Sequence, residues 1–255
     1  MDLGTLASAS DSLMMLAVVG YLAATTLHAL EVGLAAPRRQ AVLATTGPPS
    51  DVDVDVDVDV DRNAGPNARI AGTAAVAVTA VAFVVHAGAV GTRAAAAERV
   101  PWANMYEFIL VTTLAGAAVW LVALVRRPAI RPLGLFGVLA LTLLLGGAGR
   151  VHVRVAPLVP ALDSPWLKIH VAAAAFSAGL FLVGFVTASL YVLRLRHDAA
   201  TAAARPTGLA IAGMPEAAIL NRLTFRLHAI AFPLWTFAII CGAIWAEAAW
   251  GRYWG

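Results

Sequence analysis

Six histidines are the side chains with the widest chemical reach in this sequence: His28, His86, His152, His170, His197 and His228. His170 stands apart from the rest. It follows Trp166-Leu167-Lys168-Ile169 at the start of an apolar run. The chain closes on Trp245-Ala246-Glu247-Ala248-Ala249-Trp250-Gly251-Arg252-Tyr253-Trp254-Gly255, with three Trp and one Tyr just past another apolar run. Trp and Tyr collect at membrane–water boundaries, because each ring is apolar and carries one polar handle. The same stretch also reads as a flat aromatic platform for a large planar ligand. Imidazole is a standard axial ligand of haem iron, and a porphyrin lies flat against indole faces. Its propionates need cations, which Lys168, Arg150, Arg154 and Arg252 supply.

Histidine and acidic residues are costly at membrane depth, so each becomes a candidate. His28 and Glu31 are three apart on one helical face and read as a local hydrogen-bonded pair. His86 reads equally as a ligand to a metal or haem iron or as a hydrogen-bond partner of a neighbouring helix. His152 and His197 read as solvated loop histidines, and His228 as a packing residue. Asn104, Tyr106 and Glu107 read as a helix cap with an interface anchor, or as the lining of an outer cavity.

These residues need a scaffold, and the composition defines its class. Of the 255 residues, 60% are hydrophobic and 13% charged, against about 25% charged in a soluble domain. Six stretches reach the roughly 20 apolar residues that a spanning helix needs: 13–36, 70–92, 105–125, 132–149, 169–193 and 227–249. The expected fold is all-α, a polytopic bundle of about six transmembrane helices in a single membrane domain. Net charge is only +3, with no dense basic patch, which argues against nucleic acid. The single cysteine, Cys241, excludes an internal disulfide and a C-x-x-C redox motif. No Lys or Arg precedes the first apolar run, so it reads as a retained helix and not a cleaved signal.

Arginine sets the orientation. The loops after the first, third and fifth stretches hold Arg38, Arg39, Arg62, Arg69, Arg126, Arg127, Arg131, Arg194, Arg196, Arg205, Arg222 and Arg226. Only Arg93, Arg99, Arg150, Arg154, Lys168 and Arg252 fall on the other side. Both termini are therefore expected outside, with the aromatic tail and His170. Residues 40–68 contain a repeated Asp-Val from Asp51 to Asp61. Six like charges between Gly-Pro pairs predict a disordered cytoplasmic insert.

Four stretches, in order along the chain, resemble a known family. Pro101-Trp102-Ala103-Asn104-Met105-Tyr106-Glu107 is similar to a Pro-x-x-Asn-[Leu/Met]-Tyr-Glu element of the system II cytochrome c biogenesis membrane proteins. These are the CcsA/ResC type, labelled CcsB in actinobacteria. Trp166-Leu167-Lys168-Ile169-His170-Val171 resembles their histidine element. Asn221 to Arg226, Phe232-Pro233-Leu234 and Gly242-Ala243-Ile244-Trp245-Ala246 resemble the helix leading into their tryptophan-rich "WWD" motif. Trp250-Gly251-Arg252-Tyr253-Trp254 looks like that motif's first half. The likeness covers about 101–255; residues 1–100 match in helix pattern alone.

The resemblance implies a haem-presenting protein of the bacterial plasma membrane. It implies haem, b-type and non-covalently held, whose vinyl groups receive the thiols of a Cys-x-x-Cys-His apocytochrome c. It implies a ResB-type partner and a share in a holocytochrome c synthase, a thioether-forming, lyase-type complex. His170 is then the haem-iron ligand, and Trp250 and Trp254 the platform. Trp166, Lys168, Arg252, Tyr253 and His86 complete the candidate set. The family pattern continues past Gly255 to further histidines, which predicts a truncated chain or a fragment, inactive alone. The rival readings are an electron-transfer subunit with buried b-type haems, and a transporter.

Overall fold

A computed structural model describes residues 2–46, 65–156, 158–203, 205, 211 and 213–253. The Asp-Val repeat and Trp254 lie outside these. Six long helices make up the described chain: α1 (Leu3–Thr46), α2 (Pro66–Ala97), α3 (Met105–Arg126), α4 (Gly134–Ala148), α5 (Pro165–Ala202) and α6 (Ala217–Trp250). A 3-10 segment, Pro128–Leu133, leads into α4. All six are long and apolar enough to cross a membrane, counting α4 with its flanking turns. The protein is thus a multi-pass helical bundle, as the hydropathy predicts.

The helices outrun the apolar stretches. α1 continues through Pro37-Arg38-Arg39 to Thr46, and α5 runs past Arg194 to Ala202. Hydropathy marks what a membrane would cover, whereas a helix ends only where its backbone loses partners. His197, expected in a loop, therefore sits on α5.

α1 pairs along its length with α2, and α5 with α6. α3 lies against α5, and α4 packs on α1 and α3. Without a hydrophobic force between helices in lipid, close backbone approach and polar contacts must hold such a bundle. Small residues provide the approach. A Cβ on Gly179 of α5 would stand 2.6 Å from the Gly116 nitrogen of α3. Ala17, Ala24, Ala75, Ala82 and Ala89 form the buried seam of the first pair.

Polar clasps hold both ends. At the arginine-rich end, Arg131 Nε donates to Glu31 Oε1 at 2.6 Å, while Glu31 Oε2 lies 3.3 Å from His28 Nδ1. Glu31 and His28 are both buried. Gly72 and Gly134 leave the room: a Cβ there would collide with the Glu31 carboxylate or the His28 ring. The expected His28–Glu31 pair is real, and Arg131 completes it.

At the opposite end, the Asn104 side chain accepts from the Glu107 N–H at 2.9 Å, and Glu107 Oε2 accepts from the Ala103 N–H at 2.9 Å. Asn104 caps α3, and the Glu107 side chain reaches back to the N–H of the residue before that cap. The fully buried Glu107 carboxylate also receives Arg93 Nε at 3.1 Å and Arg99 Nη1 at 2.8 Å. Arg93 itself is buried, lies 4.7 Å over the Tyr106 ring, and donates to the Val153 carbonyl. The cap reading holds for Asn104 and Glu107, but Tyr106, expected as an interface anchor, is fully buried beneath Arg93.

Removing one partner of a buried charge pair strands the other. Glu107→Ala should therefore destabilise the protein by about 3–5 kcal/mol, read as a lowered midpoint of thermal unfolding in detergent. Glu107→Gln keeps part of the cap and should lose less.

Candidate functional site

His170 lies on the second turn of α5, half-buried, and faces α6. Its Nδ1 is 2.7 Å from the Ala238 carbonyl oxygen. A carbonyl only accepts, so Nδ1 carries the proton and donates. That leaves Nε2 with a lone pair, and no described residue bonds to it. The ring fits because residue 242 is glycine: a Cβ there would lie 2.7 Å from Nδ1.

Three residues beyond Gly242, close to one helical turn, stands Trp245. It meets Trp250 edge-to-face, with centroids 4.6 Å apart and planes at 65°. Gly251 then ends α6 in the left-handed region at φ +68°, and its N–H returns to the Glu247 carbonyl at 2.8 Å. The tail turns back on the helix. A hydrogen bond to the Glu247 carboxylate, which Tyr253 donates, pushes its phenol above the usual tyrosine range. Trp250 and Tyr253 stay exposed, as does Arg252.

The remaining candidates scatter over this end. Trp166 is exposed at the first turn of α5. Lys168 bonds to Asp163 Oδ1 at 2.8 Å and lines a cavity of about 900 Å³ with Leu3, Ala7, Ala96 and Arg99. Two residues along a helix turn through about 200°, so Lys168 looks toward α1 and α2 while His170 faces α6. Of the other cations, Arg150 and Arg154 are exposed. His152 bonds to Asp11 through Nε2 at 3.1 Å and packs on Tyr106, with centroids 4.9 Å apart. His86 is fully buried, its Nδ1 3.5 Å from the Tyr21 hydroxyl and its Nε2 without a partner among the described residues.

Sequence reasoning missed Gly242, the Ala238 carbonyl and the stacking role of Trp245. Only the Gly242-x-x-Trp245 spacing hinted at them, since one helical turn places both on a shared face.

The geometry defines a class: a polytopic helical membrane protein whose one end carries a half-exposed imidazole with a free lone pair, beside exposed aromatic residues. Residues 75–255 match the cytochrome C assembly protein family model, and the chain belongs to that family. The match begins in α2, earlier than the sequence motifs indicate. The chain is similar to "Cytochrome c biogenesis protein CcsA" of Guillardia theta, 32% identical over 181 residues, 64% of this chain and 59% of the relative. The protein of the same name in Microcystis aeruginosa is 28% identical over 225 residues, 69% of this chain and 66% of the relative. For that of Chlamydomonas reinhardtii the values are 32% over 101 residues, 40% and 26%. The chain thus spans less than two thirds of these relatives' length.

An L-residue in the left-handed region costs about 1–2 kcal/mol. Gly251→Ala should therefore loosen the tail. Hydrogen–deuterium exchange at 250–253 should rise, with exchange in 217–240 unchanged.

Proposed function

We propose that this chain handles haem for cytochrome c maturation, at the outer face of a bacterial plasma membrane. The observation that carries this reading is the Nδ1–H of His170, committed to the Ala238 carbonyl so that Nε2 is left as a donor. That is the donor chemistry an axial haem ligand requires. The family and the names of the relatives support the biological role.

In this reading His170 ligates the iron of a non-covalently held b-type haem. Trp250 and Trp254 flank it, with Tyr253 holding the tail in place. Arg252, Arg150, Arg154 and Lys168 offer charge to carboxylates on that side, Lys168 on release from Asp163. When bound, haem supplies the vinyl groups to which the thiols of a Cys-x-x-Cys-His apocytochrome c add. The chain's own contribution is orientation. Its imidazole would hold the iron, and its aromatic tail would lie against a planar ligand. A ResB-type membrane protein is the partner in a holocytochrome c synthase complex.

His170→Gly should lower haem recovery with the purified chain, and added imidazole should restore part of it by filling the vacant position. His197→Ala should change nothing. Equal haem content in wild type and His170→Gly would defeat the assignment.

The arginine asymmetry supports an orientation with both termini outside. A cysteine introduced at Ser8 or Ser164, in a Cys241→Ala background, should react with an impermeant maleimide in intact cells, and one at Ser50 should not. Labelling at position 50 would reverse the orientation.

A further inference from the structure

The α5–α6 pair carries a reciprocal arrangement that none of the motifs announces. His170 of α5 sits against Gly242 of α6, and His228 of α6 sits against Gly184 of α5. Each histidine lies fourteen residues before the glycine on its own helix. The two contacts therefore occur at one and the same antiparallel register, about 21 Å apart along the pair. In both, a Cβ on the glycine would come within 2.7 Å of a ring atom.

The two rings differ in where their Nδ1 protons go. His228 donates to the Thr224 carbonyl, one turn back on its own helix, at 2.8 Å. His170 donates across the interface, to the Ala238 carbonyl of α6. Thr224 and its neighbours would hold the His228 tautomer even if the helices separated. The His170 tautomer depends on the helices touching.

We infer that Gly242 and the Ala238 carbonyl together form a positioning element for His170: the missing Cβ admits the ring, and the carbonyl takes the Nδ1 proton and fixes Nε2 as the donor nitrogen. The inference rests on the proposed reading of His170 as an axial ligand. The Ala238 carbonyl is already the helical acceptor four residues before Gly242, so the imidazole uses its second lone pair. An imidazole whose Nδ1–H is given to a carbonyl is held in one tautomer and orientation, and its Nε2 becomes a stronger base toward a metal. With alanine at 242, ring and methyl cannot share the space. The ring must turn away, its Nδ1 loses the carbonyl, and nothing else in α6 selects the tautomer.

The test uses the 255-residue chain in lipid nanodiscs, first without haem. With ¹⁵N-histidine labelling, and His170→Gln to assign the resonance, wild-type His170 should show the proton on Nδ1. Gly242→Ala should move it to Nε2 or mix the two. A proton on Nε2 in the wild type overturns the inference outright, whether or not any variant folds. With haem added, Gly242→Ala should weaken retention about 10-fold, the low end for losing such an outer partner. It should also raise the reduction potential of the haem that remains. Gly184→Ala, which removes the twin notch, should leave tautomer and potential unchanged. If Gly184→Ala matches Gly242→Ala, the effect is one of helix packing and the inference falls. If His170→Gly leaves haem content and spectrum unaltered, the ligand reading fails, and the haem-free tautomer alone decides whether Gly242 positions the ring.

Discussion

Burying a carboxylate in a bundle of apolar helices is expensive unless the charge is met and every lone pair is used. Glu107 shows how this chain meets that demand. Two guanidinium groups and a backbone N–H converge on it, and its own N–H is held by Asn104. One side chain thereby starts α3, anchors α2 through Arg93, and reaches the loop after α4 through Arg93 and Val153. Glu31 repeats the solution at the other end with Arg131 and His28. Between the clasps, glycine and alanine let the backbones close. The first four helices are held at their two ends, with a few buried polar contacts such as Thr25–Thr142 and Tyr21–His86 between.

The candidate site lies beside this frame, on the pair that the clasps do not reach. α5 and α6 meet through a threonine pair, two histidine-in-glycine contacts and the Phe181 ring against His228 and Trp235. The imidazole proposed to meet haem is thus set by the helix interface itself. The cations on the same end divide by role. Arg93 and Arg99 are consumed by Glu107. Arg150, Arg154 and Arg252 face outward.

Much of this was legible in the sequence, and for physical reasons. Helix number follows from hydropathy because lipid demands an uninterrupted apolar run. The Asn104–Glu107 spacing announces a cap, since the geometry of a first helical turn is local. The Trp-rich tail and His170 stand out by composition alone. What stayed hidden is long-range. Nothing local to Arg93 says that it is buried beneath a carboxylate fourteen residues on. Lys168 and His170, two apart, looked like one cluster until the helix turned them to different neighbours. Gly242 looked like any membrane glycine, because a missing Cβ acquires meaning only from the ring that occupies its place.

The shared register of the two histidine contacts has a mechanical consequence. Sliding α5 along α6 by one turn would drive both rings into backbone and vacate both notches together. Either ring alone would resist the shift; the two, about 21 Å apart, also resist tilting about either one. The pair therefore behaves as a single splined strut. A displacement imposed at its arginine-rich end would be delivered at the aromatic end with little loss.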